Sequence, residues 1–319
     1  ASMAALEPLP VLANLDVAAL CKAVGDPLRA NILRVLARDS YGVLELASMF
    51  DKAQPAISHH LKLLKVSGLV TSRREGQHLY YQRTHIDAHG FVQALFAALD
   101  DEPLPTRITQ RIKSINNVRT VRSRAFFAEH ASDLAQLHTR ICAPDIYVDE
   151  ILHFARLKRD QTALEVGPGD GTILASLLPQ MAAVTTVDES SAVLANLDKR
   201  FANTHALTTV HADFLGWSSR SRYDLVNAAM VLHHLASPAA FFAAAARRLR
   251  PDGLLVVTEL KAHQHEWVRE LGDVWLGFES SQLETWARDA GLRAISEKRL
   301  AQRNGLDIIV NCYQTNTGI

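Results

Sequence analysis

The sequence predicts an α/β chain in two parts: a small, mostly helical N-terminal module and a larger C-terminal module built on a doubly wound, mostly parallel sheet. Three observations carry this. After Gln161, short apolar runs alternate with helical stretches, the pattern of strands joined by helices on both faces of a sheet. Between Leu15 and Leu99 the texture differs, with short amphipathic helices and one alternating strand pair. Residues 100–106, Asp-Asp-Glu-Pro-Leu-Pro-Thr, combine three acids with two prolines and read as a linker. A length of 319 residues suits two domains, and an apolar fraction of 48% can fill two cores.

Composition removes several classes of function. Lys plus Arg number 34 and Asp plus Glu 34, so the whole chain is no polycation, and any nucleic-acid contact must come from a local patch. The three cysteines, Cys21, Cys142 and Cys312, are far apart and lack C-x-x-C spacing. That speaks against a disulfide framework and a Cys-rich zinc site. No apolar run reaches the roughly 18 residues a membrane span needs, and the start carries no signal-peptide pattern. The expectation is a cytoplasmic protein with no membrane partner.

The N-terminal elements follow in order. Residues 1–14 are Pro- and Ala-rich and are expected to be flexible; the domain proper spans 15–99. Asp26 to Leu36 form an amphipathic helix, with Pro27 at a first helical position where its missing N–H costs nothing. Leu28, Ile32, Val35 and Leu36 make its apolar stripe. Val43–Phe50 is a second short helix. A third starts at Gln54-Pro55, buries Ile57, Leu61 and Leu64, and stops at Ser67-Gly68. Its outer face carries Gln54, Ser58, His59 and Lys62. Strands Leu69–Arg73 and His78–Arg83 follow, joined through Arg74, Glu75, Gly76 and Gln77. Two short helices and a basic hairpin make a winged helix-turn-helix. Polar side chains near a helix N-terminus meet base edges in the major groove, and hairpin cations such as Arg73 and Arg74 meet phosphates. From Lys52 to Arg83 six Lys/Arg stand against one acid, Glu75.

Gly25-Asp26-Pro27-Leu28-Arg29, Ser58-His59-His60-Leu61-Lys62 and Gly68-Leu69-Val70 with Arg73-Arg74-Glu75-Gly76 resemble the ArsR-type (arsenical-resistance repressor) winged-helix family, over about Leu15–Leu99. The resemblance implies a homodimer with outer helices near 16–24 and 85–99 at the interface, and a palindromic double-stranded DNA operator. Val43-Leu44-Glu45-Leu46 stands where metal sensors of that family often carry cysteines. His85, Asp87 and His89 lie close together at a helix start and are read as solvated. No metal site is expected.

Residues 107–160 are helical and are expected to form a lid over the domain 161–319, with Arg124, His130 and Tyr147 as candidates to face its pocket. Six cations between Arg107 and Arg124, without an acid, read chiefly as a basic helix face. Strands are expected at Thr162–Val166, Val184–Asp188, Leu207–Val210, Tyr223–Ala228, Leu254–Leu260 and Asp307–Tyr313. The loop Gly167-Pro168-Gly169-Asp170-Gly171 follows the first strand and opens a helix. A dinucleotide loop wants its third glycine where Thr172 stands, and it brings a pyrophosphate to the helix N-terminus. Asp170 and Glu165 would repel that dianion. S-adenosylmethionine (SAM) has no phosphate, and Glu165 can accept from its amine. Glycines 167 and 169 allow close backbone approach. Asp188, at the second strand's end, can take both ribose hydroxyls, a feature shared with NAD enzymes. Asp213 fits the adenine amino group and Phe214 the ring face.

With Asn227-Ala228 after the fourth strand and Leu249-Arg250-Pro251-Asp252-Gly253 before the fifth, this set resembles the class I SAM-dependent methyltransferases, over roughly Ser123–Tyr313. The resemblance implies a seven-stranded sheet and assigns the cofactor contacts to Glu165, Gly167, Gly169, Asp188, Asp213, Phe214, Asn227 and Ala228. The cofactor is SAM or its product S-adenosylhomocysteine. His233 and His234 lie at the same sheet mouth and are the candidate catalytic pair, since one could be a base, although such a pair in this family often only packs or touches the cofactor. His263, His265 and Glu266 read as a polar loop. The tetrad Asn227-Ala228-Ala229-Met230 is not the motif of amino-methylating DNA enzymes, and no Pro-Cys nucleophile is present. The expected function is a DNA-binding regulator whose C-terminal domain methylates a small molecule. The alternatives are a sensor in which SAM or its product controls operator binding and, below it, a DNA-targeted macromolecule methyltransferase.

Overall fold

The computed structural model describes residues 16–84, 90–130, 133–143 and 145–315. The expected flexible segment 1–14, the His85/Asp87/His89 cluster and the start of the second proposed interface helix lie outside the described residues. The chain divides into two compact units, Ala1–Ile115 and Asn116–Ile319.

The N-terminal unit begins with α1 (Val17–Val24) and α2 (Pro27–Val35). Asp16 and Asp26 cap them, each accepting two backbone N–H bonds of the first turn, which answers donors a helix start otherwise leaves open. Then come β1 (Tyr41–Gly42), α3 (Val43–Phe50), α4 (Gln54–Val66), β2 (Val70–Glu75) and β3 (His78–Arg83). The three strands form an antiparallel sheet in the order β1-β3-β2. The hairpin turn is tighter than the four residues expected: the ladder runs to Glu75↔His78, and Gly76 turns the chain at φ 58°. Ile32, Leu33, Leu46, Met49, Ile57, Leu61 and Leu64 are fully buried in one core, which fixes α4 with its polar face outward.

Within the expected linker 100–106, residues 102–105 are non-helical, while the boundary between the two units falls later, after Ile115. Helix α5 (Gly90–Asp101) runs into the linker, held by an ion pair from Arg83 to Asp100, with the Arg83 guanidinium also 4.1 Å from the Phe96 ring centroid. Helix α6 (Thr106–His130) is continuous over 25 residues. Ile108 is buried in the N-terminal core and Ile112 and Ile115 pack against it, so that unit extends to Ile115.

The C-terminal unit continues with α7 (Leu134–Ile141) and α8 (Asp145–Ala155). The strands are β4 (Thr162–Val166), β5 (Ala183–Asp188), β6 (Leu207–His211), β7 (Tyr223–Ala229), β8 (Leu249–Leu260), β9 (Leu292–Leu300) and β10 (Ile308–Thr315). They form one seven-stranded sheet, β6-β5-β4-β7-β8-β10-β9. The first five in that order pair in parallel, and β10 is antiparallel to both neighbours. Helices α9 (Thr172–Leu177), α10 (Ser191–Arg200), α11 (Pro238–Arg248) and α12 (Ser280–Asp289) complete the unit. Within the stretch expected as a lid, α8 instead packs on β8, β9 and β10, burying Tyr147, Val148, Ile151 and Ala155. The strand order reverses between β4 and β7, which opens a crevice at their carboxyl ends, the usual ligand position in open α/β sheets.

Candidate functional site

The glycine loop lies at that crevice. Gly167, Gly169 and Gly171 all have positive φ, at 65°, 55° and 81°. Two of them are also fixed by packing. A Cβ on Gly167 would sit 2.7 Å from Val231 Cγ2, and one on Gly171 2.6 Å from Leu197 Cδ2. Asp170 turns inward on the helix it precedes: Thr172 donates to it through both its backbone N–H (3.0 Å) and its hydroxyl (2.9 Å). A carboxylate thus already occupies the start of α9, where a nucleotide phosphate would otherwise sit.

Glu165, next to last on β4, is buried to 1% exposure. Its Oε2 accepts from Asn227 Nδ2 at 2.8 Å, across the β4–β7 pair. Its Oε1 and the Asn227 Oδ1 are buried without hydrogen-bond partners among the described residues. Burial pushes the Glu165 carboxyl up to about 8, against the opposing hydrogen bond from Asn227. The site thus holds two buried oxygens without partners and a carboxyl that keeps its proton until a cation displaces it, which fits a ligand that brings donors and positive charge. The α-amino group of SAM is such a ligand. Asp188, at the end of β5, accepts from Ser190 N at 2.7 Å, and burial raises its carboxyl to about 6. Ala228 is fully buried on β7. Phe214 is buried with its ring 5.3 Å from that of Phe241, while Asp213 beside it remains exposed.

Three residues expected to face the pocket, Arg124, His130 and Tyr147, are placed as follows. Arg124 of α6 forms an ion pair with Glu189 and lies 3.7 Å from Asp213, which brings α6 to the β5 and β6 ends. Tyr147 is buried, and its phenol is pushed up by burial and by nearby groups that include Asp170, Glu165 and Glu259. His130 stacks on Phe126 at 4.4 Å. Met230 has φ 58°, strained for a side chain of its size, and its N–H donates to Thr258 O at 2.8 Å. That kink turns the chain from β7 into the 3-10 turn Leu232–His234.

The two histidines differ. His233 is buried at 1%, with Nδ1 2.6 Å from Glu259 Oε2 and Nε2 3.9 Å from Asp273 Oδ1. Burial opposes charge on this imidazole, but Glu259 and Asp273 outweigh it and raise it to about 9. Glu259 also accepts from Leu232 N at 2.6 Å. The backbone carbonyl of His233 accepts from Val274 N and Trp275 N, which ties the 272–275 loop to the end of β7. His234 is less buried, with Nδ1 3.2 Å from Gly272 O and its ring edge-on to Phe127 at 4.6 Å. Asp273 is fully buried, and burial pushes its carboxyl up to about 7.

In the N-terminal unit, Gln54, Ser58, His59 and Lys62 are all exposed on α4, and Gln54, Ser58 and Lys62 share one helical face at four-residue spacing. In the wing, Arg74 is exposed, whereas Arg73 forms an ion pair with the buried Glu75.

Comparison with known proteins gives each unit its relatives. Residues 135–308 match the family described as a methyltransferase domain, and residues 26–72 match the arsR family of bacterial regulatory proteins. The biofilm growth-associated repressor of Agrobacterium fabrum is 33% identical over 92 residues, 28% of this chain and 79% of that protein. In fold, the chain is similar to a Burkholderia thailandensis 1,6-didemethyltoxoflavin-N1-methyltransferase solved with its substrate and S-adenosylhomocysteine. The TM-score is 0.51 and the identity 20%, over 63% of this chain and 89% of that one. It is also similar to the N-methyltransferase NodS of Bradyrhizobium japonicum WM9, solved with S-adenosylhomocysteine. There the TM-score is 0.50 and the identity 18%, over 61% of this chain and 98% of that one.

Proposed function

Because the chain belongs to the methyltransferase-domain family through residues 135–308 and to the arsR family of bacterial regulatory proteins through residues 26–72, we propose that it is a DNA-binding regulator whose C-terminal unit binds SAM and methylates a small molecule. The observation that carries the ligand is the Glu165–Asn227 pair, with its unanswered Oε1 and Oδ1 and a phosphate position already filled by Asp170. Glu165 and Asn227 receive the amine, Gly167 and Gly169 admit the ligand's backbone-like end, Asp188 accepts from the ribose, and Asp213 meets the adenine. SAM supplies the methyl group on its sulfonium. The protein contributes alignment and water exclusion, which suffice for a substitution whose electrophile arrives activated. His233 and His234 stand on the acceptor side. His234, the more accessible, is the better placed to meet an acceptor proton.

The DNA reading rests on the exposed α4 face and on Arg74, with a homodimer presenting two such faces to a palindromic site. A second reading has its own support, the arsR-family module on the same chain: SAM or S-adenosylhomocysteine acts as effector and shifts operator affinity. That requires unequal affinity for DNA-binding and non-binding states. Single-turnover consumption of methyl-labelled SAM with cell extract, run beside operator titrations with and without SAM, separates them. Label transfer to a low-molecular-weight product is expected. Absence of transfer with every extract, together with a SAM-dependent operator affinity, would replace the enzyme by the sensor.

A further inference from the structure

Asp273 is fully buried, and neither of its carboxylate oxygens has a hydrogen-bond partner among the described residues. Burying an unanswered carboxylate is strongly unfavourable, so a native protein completes such a group with a proton, a water or an ion. Its neighbours decide among these. Asp273 Oδ1 lies 3.9 Å from His233 Nε2 and 3.7 Å from His234 Nδ1. One donor atom from each of the three residues falls within 4.8 Å of the other two. Both distances exceed a hydrogen bond, so neither imidazole satisfies Asp273 directly. Meanwhile Glu259 holds the far nitrogen of His233 at 2.6 Å, which turns Nε2 toward Asp273. A carboxylate behind one imidazole nitrogen is how proteins orient a histidine whose other nitrogen binds a metal.

We propose that His233, His234 and Asp273 hold a divalent first-row transition metal, with Glu259 as the carboxylate that orients His233. Two imidazoles and one carboxylate suit zinc, iron, cobalt or nickel rather than magnesium or calcium. Tetrahedral bonds near 2.0–2.1 Å put donor atoms about 3.3 Å apart, so each imidazole need approach Asp273 Oδ1 by only about half an ångström. Binding through His234 Nδ1 would replace its 3.2 Å contact with Gly272 O and leave the imidazole proton on Nε2, so that in the metal-bound protein the metal, not His234, would ease loss of the acceptor proton. Charge also suits a dication: two neutral imidazoles and two carboxylates carry two negative charges, with Arg269 the cation that acts on Asp273. Three protein donors leave a coordination position open. An acceptor hydroxyl or amine bound there would lose its proton more readily. The metal's class and place thus extend the methyl-transfer reading to acceptors bearing an oxygen or nitrogen ligand atom.

The test uses the full chain, stripped with a chelator and titrated with cobalt(II) in the absence of SAM. Expected are visible ligand-field bands of a low-coordinate site, saturating at one cobalt per chain and displaced by zinc. Asp273→Asn should abolish the bands, and Glu259→Gln should weaken cobalt binding about 10- to 100-fold. SAM binding by calorimetry on the same samples shows that each variant is folded and keeps the two readings separate. No bands in protein that binds SAM overturns the metal site alone. Bands that survive Asp273→Asn in folded protein also overturn it, since the cobalt would then lie elsewhere.

Discussion

Glu165 links one buried atom to a measurable pH profile. Its carboxyl is raised from 4.5 to about 8. Between those values the SAM-free native protein holds a proton that the unfolded chain has released. Stability of the SAM-free protein therefore falls as pH rises through that window. The ammonium of SAM favours the ionised form, so binding expels the proton, and affinity should climb from pH 6 toward about 8, at most about tenfold per unit. Above that it turns over as the ligand's own amine, titrating near 7.7–8.0, loses its charge. Calorimetric titration across pH checks this. Glu165→Gln should flatten the rising limb and lower affinity at pH 8 by about 10- to 100-fold, the scale of a lost hydrogen bond to a charged group. A rising limb unchanged in that variant would remove Glu165 from the amine site. Gly171→Ala tests the loop differently: at φ 81°, with Leu197 Cδ2 2.6 Å from the added carbon, it should destabilise the protein by about 1–3 kcal/mol in denaturant melts and weaken SAM binding.

At the scale of elements, the wing separates two arginines that look equivalent in sequence. Arg74 is exposed, while Arg73 is half-buried and forms an ion pair with the buried Glu75. Arg74→Ala should lower affinity for all DNA sequences and reduce the salt slope by about one. Arg73→Ala should change the slope less and destabilise the hairpin, because it removes the ion pair made to the buried Glu75. Equal slope changes in the two variants would show that the Arg73–Glu75 pair opens on DNA. Six of the seven strands of the large sheet were legible, because apolar runs such as Leu254–Val257 belong to strands buried on both faces. The seventh, β9, was missed because Leu-Arg-Ala-Ile-Ser-Glu-Lys-Arg-Leu is a half-exposed edge strand whose polar residues mask the period. The glycine loop was legible because positive φ demands glycine. Asp273 was not, since nothing local marks an acid as buried, and its partners are 39 and 40 positions away in sequence. Glu259 did leave a trace: an acid closing the apolar run Leu254-Leu255-Val256-Val257 asks for a buried partner, which His233 supplies.

For the whole molecule, the question is whether two ligands on one chain know of each other. Linkage makes the answer symmetric: if SAM changes operator affinity by some factor, operator must change SAM affinity by the same factor. The methyltransferase reading needs no such factor. The sensor reading needs one of about 5- to 150-fold, the range of a coupling free energy between sites. Helix α6 is the covalent route, since it contributes Ile108, Ile112 and Ile115 to the N-terminal core and Arg124 to the acids at the β5 and β6 ends of the C-terminal unit. On the proposed placement of SAM against Asp188 and Asp213, the ligand would meet Arg124 there. Arg124→Ala should therefore alter SAM affinity under either reading, but it should erase the SAM effect on operator binding only if α6 carries the coupling. Operator titrations of wild type and Arg124→Ala, each with and without saturating SAM, give both quantities. Under the primary reading operator affinity is the same in all four titrations, and Arg124 acts on SAM alone. A wild-type difference of fivefold or more that vanishes in the variant would make this helix the element through which SAM is read, and the chain a sensor whose methyl group need never be transferred.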